Sequence, residues 1–174
     1  IQGQVRLRSE GEEVVLNRFD SFYLPAGREA TLCAEGESVL YIGGGPYEGV
    51  GAFYVRRFDL SLPLGSIHQI HGEPPFQREV FMTVDPETPA SRLITGLTWG
   101  EDGGWTSWPP HQHEKDLEET YCYFDLDKPR FAMHFSYLDH MTNAAVHKVH
   151  SGDFVMAPKG YHPTVAMPGA KSAY

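Results

Sequence analysis

Residues 105–126 read "WTSWPPHQHEKDLEETYCYFDL". His111 and His113 stand one residue apart after Pro109-Pro110. Glu118 and Glu119 follow a short polar stretch, and then comes an alternating aromatic run. Side chains two apart on an extended chain share a face. Pro110 favours extended backbone before it, so His111 and His113 are expected to project together. Two imidazoles on one face can offer their ring nitrogens to a metal. In an extended segment that begins at Glu119, Glu119, Tyr121 and Tyr123 share one face. Thr120, Cys122 and Phe124 share the other.

The same rhythm runs through the chain. Short alternating or apolar segments recur between turn residues: "QVRLR", "EEVVL", "SFYLP", "SVLYIG", "AFYVRRF", "EVFMTV", "SRLITGLTW", "ETYCYFDL", "FAMHFSYL", "AAVHKVH" and "DFVMAP". No long stretch has a helical period with caps. Such spacing predicts an all-β sandwich or barrel. "SEGEE" and "HSGD" read as hairpin turns, where glycine supplies positive φ.

One unit is used twice. Residues 19–27, "FDSFYLPAG", and 152–160, "GDFVMAPKG", both carry Asp, an apolar strand and Pro-x-Gly. A short strand and a turn precede each copy, which is the mark of an internal repeat. The chain is therefore divided into a partial β domain at 1–46, a linker at 47–76 and a second β domain at 77–174. The opening at Ile1 and the closing "GAKSAY" are expected to be cuts in a longer chain.

Composition bounds the function. The 174 residues carry a net charge of −9, with 41% hydrophobic and 13% aromatic residues. That is a packed globular composition without the basic excess of a nucleic-acid surface. No apolar run reaches the ~20 residues of a membrane helix, and no secretory signal is visible. Cys33 and Cys122 are too few and too far apart for a zinc ribbon, and a reducing, cytoplasmic setting is expected.

A second cluster completes the first. His162 follows the Pro158-x-Gly160 turn in "PKGYHP", where it would begin an antiparallel strand beside His111, His113 and Glu119. Five residues separate His113 from Glu119, and four separate it from Glu118. The alternation that carries the tyrosines favours Glu119 as the ligand, and Glu118 stays open as the alternative. His68, His71, His140, His147 and His150 read as structural or surface histidines. "HKVH" has helical spacing in flanks that read as strand.

H-x-H, a few residues, Glu, and some forty residues later G-x5-P-x-G with a nearby His resemble the two motifs of the cupin superfamily. Those are small β-barrels whose His, His, Glu and His hold a divalent metal. The resemblance implies His111, His113, Glu119 and His162 as ligands. It implies a bicupin of two jelly-roll barrels, the first of them partial and without a metal motif. "WTSWPPHQHEKDLEETYCYF" and "GDFVMAPKGYHPTVAMPG" are similar to the family of 5-deoxy-glucuronate isomerase, an enzyme of inositol breakdown. That family is related to 5-keto-4-deoxyuronate isomerase of pectin breakdown, which "YCYFDLDKPRFAMHF" resembles in part. The resemblance implies an aldose–ketose isomerase of a deoxyuronic acid, and a homo-oligomer. Zinc suits redox-free chemistry at three imidazoles and a carboxylate, with manganese or iron as alternatives. Glu118, His134 and Tyr161 are the candidates for proton transfer. Lys159, Arg78 and Arg92 are candidates for the substrate carboxylate. An iron-dependent oxygenase and a non-catalytic sugar-acid binding module are the competing readings.

Overall fold

The computed structural model describes residues 3–113, 115–140 and 143–174. Among them there is no helix; fifteen strands account for the regular structure. The chain divides into two compact units. One comprises Ile1–Gln69 and Phe81–Gly96, the other Ile70–Val80 and Leu97–Tyr174. Strands β6 (His68–His71), β7 (Arg78–Val84) and β8 (Thr95–Asp102) carry the chain from one unit to the other.

In the first unit, β1 (Val5–Ser9) is central, with β2 (Glu12–Leu16) and β4 (Thr31–Ala34) antiparallel on its two sides. The β1–β2 turn is the "SEGEE" segment. Glu10 and Gly11 both hold positive φ, 50° and 85°, as the tight hairpin turn that matches strand twist requires. The burial of β1 alternates, so Val5, Leu7 and Ser9 face inward. Short β3 (Ser21–Tyr23) pairs with β5 (Tyr54–Arg56). Tyr23, Val84 and Ala90 form a small core.

The stretch 47–76 contains β5 and β6. "SVLYIG", expected to be a strand, takes no strand structure. Val39 and Ile42 there are 56% and 73% exposed. Propensity does not make a strand without a ladder partner, and no strand among the described residues runs a ladder along this segment.

The second unit repeats the arrangement. β11 (Ala132–Ser136) is central, between β12 (Ala145–Val149) and β14 (Thr164–Ala166), and β14 also pairs with β9 (Trp105–Thr106). β10 (Glu119–Cys122) pairs with β13 (Phe154–Ala157), and β15 (Lys171–Ala173) pairs with β8. The core is built on Tyr121, Tyr123, Leu126, Ala132, Val149 and Ala166. Small alanines face large tyrosines, so the rings fit between the strands. Cys33 and Cys122 are both free thiols.

Candidate metal centre

Each side chain of the cluster is set by a local feature. Gly160 takes φ of +80°, and a Cβ there would sit 2.5 Å from the Tyr137 carbonyl oxygen. Only glycine lets the chain turn so close to β11. After the turn, the β11–β14 ladder is already running. Tyr137 and Tyr161 pair through both backbone bonds, and the Phe135 amide donates to Pro163 O at 3.0 Å. Alternation then turns His162, Thr164 and Ala166 inward beside Ala132 and His134. All five are at most 5% exposed. Glu119, Tyr121 and Tyr123 share the inward face of the β10 segment, where both tyrosines are 1% exposed.

His111 and His113 lie outside any strand. The segment after β9 turns away at Ser107, whose φ is +52°, and makes no ladder bonds. Backbone carbonyls hold both rings instead. His111 Nδ1 lies 3.0 Å from Pro109 O and His113 Nδ1 lies 3.1 Å from Leu117 O. His162 Nδ1 lies 2.8 Å from Gly160 O. A carbonyl can only accept, so each Nδ1 carries the hydrogen and each Nε2 lone pair is left for a ligand.

Ligand nitrogens of His111, His113 and His162 lie within 4.8 Å of one another. Glu119 Oε2 is 2.9 Å from His113 Nε2 and 3.0 Å from His162 Nε2. Two nitrogens without hydrogens would repel a carboxylate at that separation, so the group calls for a cation, a proton or a metal, among them. Three imidazoles and a carboxylate are a donor set that zinc, iron and manganese accept. The residues fit a metal. Exposure falls across the cluster from exposed His111 to His162 at 2%, so the His111 side is the open one.

The electrostatics agree with the geometry. Burial pushes the Glu119 carboxyl up, but hydrogen bonds and charge from His162 and then His113 outweigh it, and the group sits below the ordinary carboxylate range. Burial pulls His162 down, yet its bonds to Glu119 and to the Gly160 carbonyl raise it overall. Burial, and next the neighbouring Tyr174 and Glu119, push the Tyr121 phenol well up. It stays protonated and bonds Ser107 Oγ at 2.8 Å.

The other expected site residues separate. His134 is fully buried, with its ring 4.9 Å from that of Tyr121, which in turn lies 6.0 Å from His162. Tyr161 stacks on Tyr137 at 5.2 Å, with His140 4.6 Å away, on the strand face opposite His162. Glu118 and Lys159 are exposed. Arg78 is half-buried, and its Nη1 lies 3.4 Å from Trp108 O, in the segment that leads to His111. Arg92 belongs to the first unit and pairs with Glu48 at 2.5 Å. Thr164 and Ser107 were not among the expected site residues, and Tyr123, expected on the Glu119 face, meets His134 only in the fold. The inward alternation that carries His162 to Thr164 was the signal for Thr164.

The family model described as "KduI/IolB family" matches residues 1–174. The chain belongs to the KduI/IolB family. Among relatives of this KduI/IolB chain is the 5-deoxy-glucuronate isomerase of Geobacillus kaustophilus strain HTA426. It is 33% identical over 113 residues, which cover 61% of this chain and 41% of the relative. The enzyme of that name from Shouchella clausii strain KSM-K16 is 28% identical over 165 residues, covering 89% and 58%. The chain thus spans about half the length of these curated relatives. A solved IolB-like protein of Salmonella typhimurium LT2 matches the whole chain and 71% of its own, with a TM-score of 0.74 and 22% identity. That likeness shows a shared all-β fold.

Proposed function

We propose that this KduI/IolB chain is part of a metal-dependent isomerase that interconverts the aldose and ketose forms of a deoxyuronic acid, 5-deoxy-glucuronate being the foremost candidate. The convergence of three imidazole nitrogens and the Glu119 carboxylate carries this reading. The relatives named 5-deoxy-glucuronate isomerase support it. His111, His113, Glu119 and His162 would hold the ion, zinc first and manganese or iron next. A bound divalent ion supplies Lewis-acid polarisation of carbonyl and hydroxyl oxygens, typically worth several kcal/mol. The chain's own part is to present a carboxylate and three imidazoles, the tautomers of the three rings set in advance by backbone carbonyls.

The reaction moves a hydrogen between adjacent carbons, and a positioned acid–base group contributes roughly 10²–10⁴-fold to such a step. Glu118, His134 and Tyr161 are the proposed set for that transfer. Of the three, only His134 shares the inward face with Glu119 and His162. Arg78 is the proposed carboxylate partner ahead of Lys159 and Arg92, because it is half-buried beside the segment that ends in His111. We further infer that the two compact units are two cupin-like barrels, the metal belonging to the second.

Elemental analysis of the purified chain, followed by turnover of a uronate panel in D₂O under argon, tests the proposal. Bound metal with deuterium entering the carbon beside the carbonyl supports it. Metal without label would leave a binding module. Oxygen uptake with Fe(II) in air would favour an oxygenase.

A further inference from the structure

His134 has one ring nitrogen accounted for and one not. Its Nδ1 lies 2.8 Å from Tyr123 Oη, and that hydroxyl donates to Thr164 Oγ1 at 3.3 Å. With the tyrosine's hydrogen on Thr164, the ring donates through Nδ1, and Nε2 is a bare acceptor. Nε2 is buried and has no hydrogen-bond partner among the described residues, while the whole residue is 0% exposed. A buried acceptor left without a partner forfeits its solvation and destabilises the fold. An apolar ring of similar size would avoid that cost, so a histidine here is better explained by an occupant. The neighbourhood suits one: Tyr121, Tyr123 and Thr164 bring polar groups to the same inward face, and Ser172 Oγ in this unit is also buried without a partner among the described residues. Burial holds the imidazole down to about 4, with His162 and His147 adding to the effect. The ring is therefore neutral near pH 7.

We propose that Nε2 of His134 accepts a hydrogen bond from a hydroxyl held inside the second unit, either a water's or a sugar alcohol's. Tyr123 and Thr164 act as positioning residues that set the ring's tautomer and rotation. The sugar alcohol as source rests on the sugar-acid reading above; the water does not.

A high-resolution crystal structure of the full chain, with and without D-glucuronate, distinguishes the two sources. The expected result is an oxygen within hydrogen-bond distance of Nε2. It is a water in the free protein, and a sugar hydroxyl replaces it if the sugar is the source. An oxygen there in a protein that binds no uronate at any concentration keeps the hydroxyl site and sinks the sugar-acid reading. No oxygen near Nε2 in either crystal overturns the proposal. Side-chain ¹⁵N NMR provides a second arm. His134 should show a neutral ring protonated at Nδ1 from pH 6 to 8, and Tyr123→Phe should shift that signal. A ring protonated at Nε2 in the wild-type protein also overturns the proposal.

Discussion

Residues 17–34 and 150–166 are the same local structure with opposite consequences. In both, an aspartate closes the turn that enters the strand. The Asp20 amide donates to Asn17 O at 3.1 Å, and Asp153 to His150 O at 3.1 Å. Each carboxylate accepts the returning amide, from Asn17 at 3.0 Å and from His150 at 2.8 Å. The residue before each aspartate holds positive φ, 67° at Phe19 and 87° at Gly152. Pro-x-Gly follows in each, with φ of +84° at Gly27 and +80° at Gly160. The sheets agree as well, β2-β1-β4 and β12-β11-β14.

The copies part after the glycine. Thr31 and Thr164 stand equally far beyond their turns, yet Thr31 is exposed and Thr164 is 0% exposed. In the first unit Leu32 and Ala34 oppose the buried Leu7 and Val5. The inward positions fall an odd number of residues after Gly27, and an even number after Gly160. A one-residue change of register moves every side chain to the other face. The first copy thereby sets half-buried Leu32 against Leu7, with Ala34 exposed, and leaves Glu29, the counterpart of His162, exposed. The second brings His162, Thr164 and the opposed His134 inside. Two copies can share their turn chemistry and still bury opposite faces, and here the residue at the ligand position differs too, Glu29 against His162.

Removing one ligand should break this contrast most. His162→Ala is expected to weaken metal binding by more than about 100-fold, beyond the loss of an outer-shell partner. Glu29→Ala should leave metal content unchanged. Mass-spectrometric metal analysis of the purified variants reads both, and full metal retention in His162→Ala would remove the site from the second copy.

The paired turn glycines give the next largest difference. Gly160→Ala combines positive φ with a Cβ 2.5 Å from the Tyr137 carbonyl, whereas Gly27→Ala meets nothing within 4 Å. Left-handed backbone alone costs an alanine about 1–2 kcal/mol. Gly160→Ala should therefore cost at least about 3 kcal/mol and Gly27→Ala about 1 kcal/mol. Urea unfolding midpoints compare them, and equal losses would contradict the close approach to β11.

The buried imidazole predicts a pH effect that belongs to the second copy. Folded His134 titrates at about 4, below its ordinary 6.5. Between those values the unfolded chain binds a proton that the folded ring refuses, so stability falls as pH drops through this window. The loss from this group is about 3 kcal/mol at full extent. His134→Phe should flatten that part of the stability–pH curve, and an unchanged slope would rule out a buried neutral ring.

The turn aspartates sharpen the comparison at the smallest scale. Asp20 also accepts from the Phe58 amide at 2.9 Å and pairs with Arg57 at 2.5 Å. Asp20→Ala should cost about 2–3 kcal/mol and Asp153→Ala about 1 kcal/mol, as read by thermal unfolding.

Much of this was legible beforehand because it depends on neighbours in sequence. The period-2 runs around Leu7, Tyr121 and His134 match strands, and the turns at Gly11 and Gly152 follow from residue type. "SVLYIG" went astray because strand propensity is silent about whether a partner edge exists. The H-x-H pair was expected in extended backbone and lies in a segment without ladder bonds. Its rings are held by the carbonyls of Pro109 and Leu117 rather than by strand alternation.

From residue order alone came the all-β class, the doubled Asp-to-Pro-x-Gly unit and the donor types, since alternation and turn preference act over a few bonds. That the second copy turns His162 inward, toward His113 and Glu119, was decided by the register of β14 on β11, whereas the first copy has no histidine to offer whatever the register of β4 on β1. Register is a contest between whole faces for burial, and residues far apart in the chain must meet before it has an outcome.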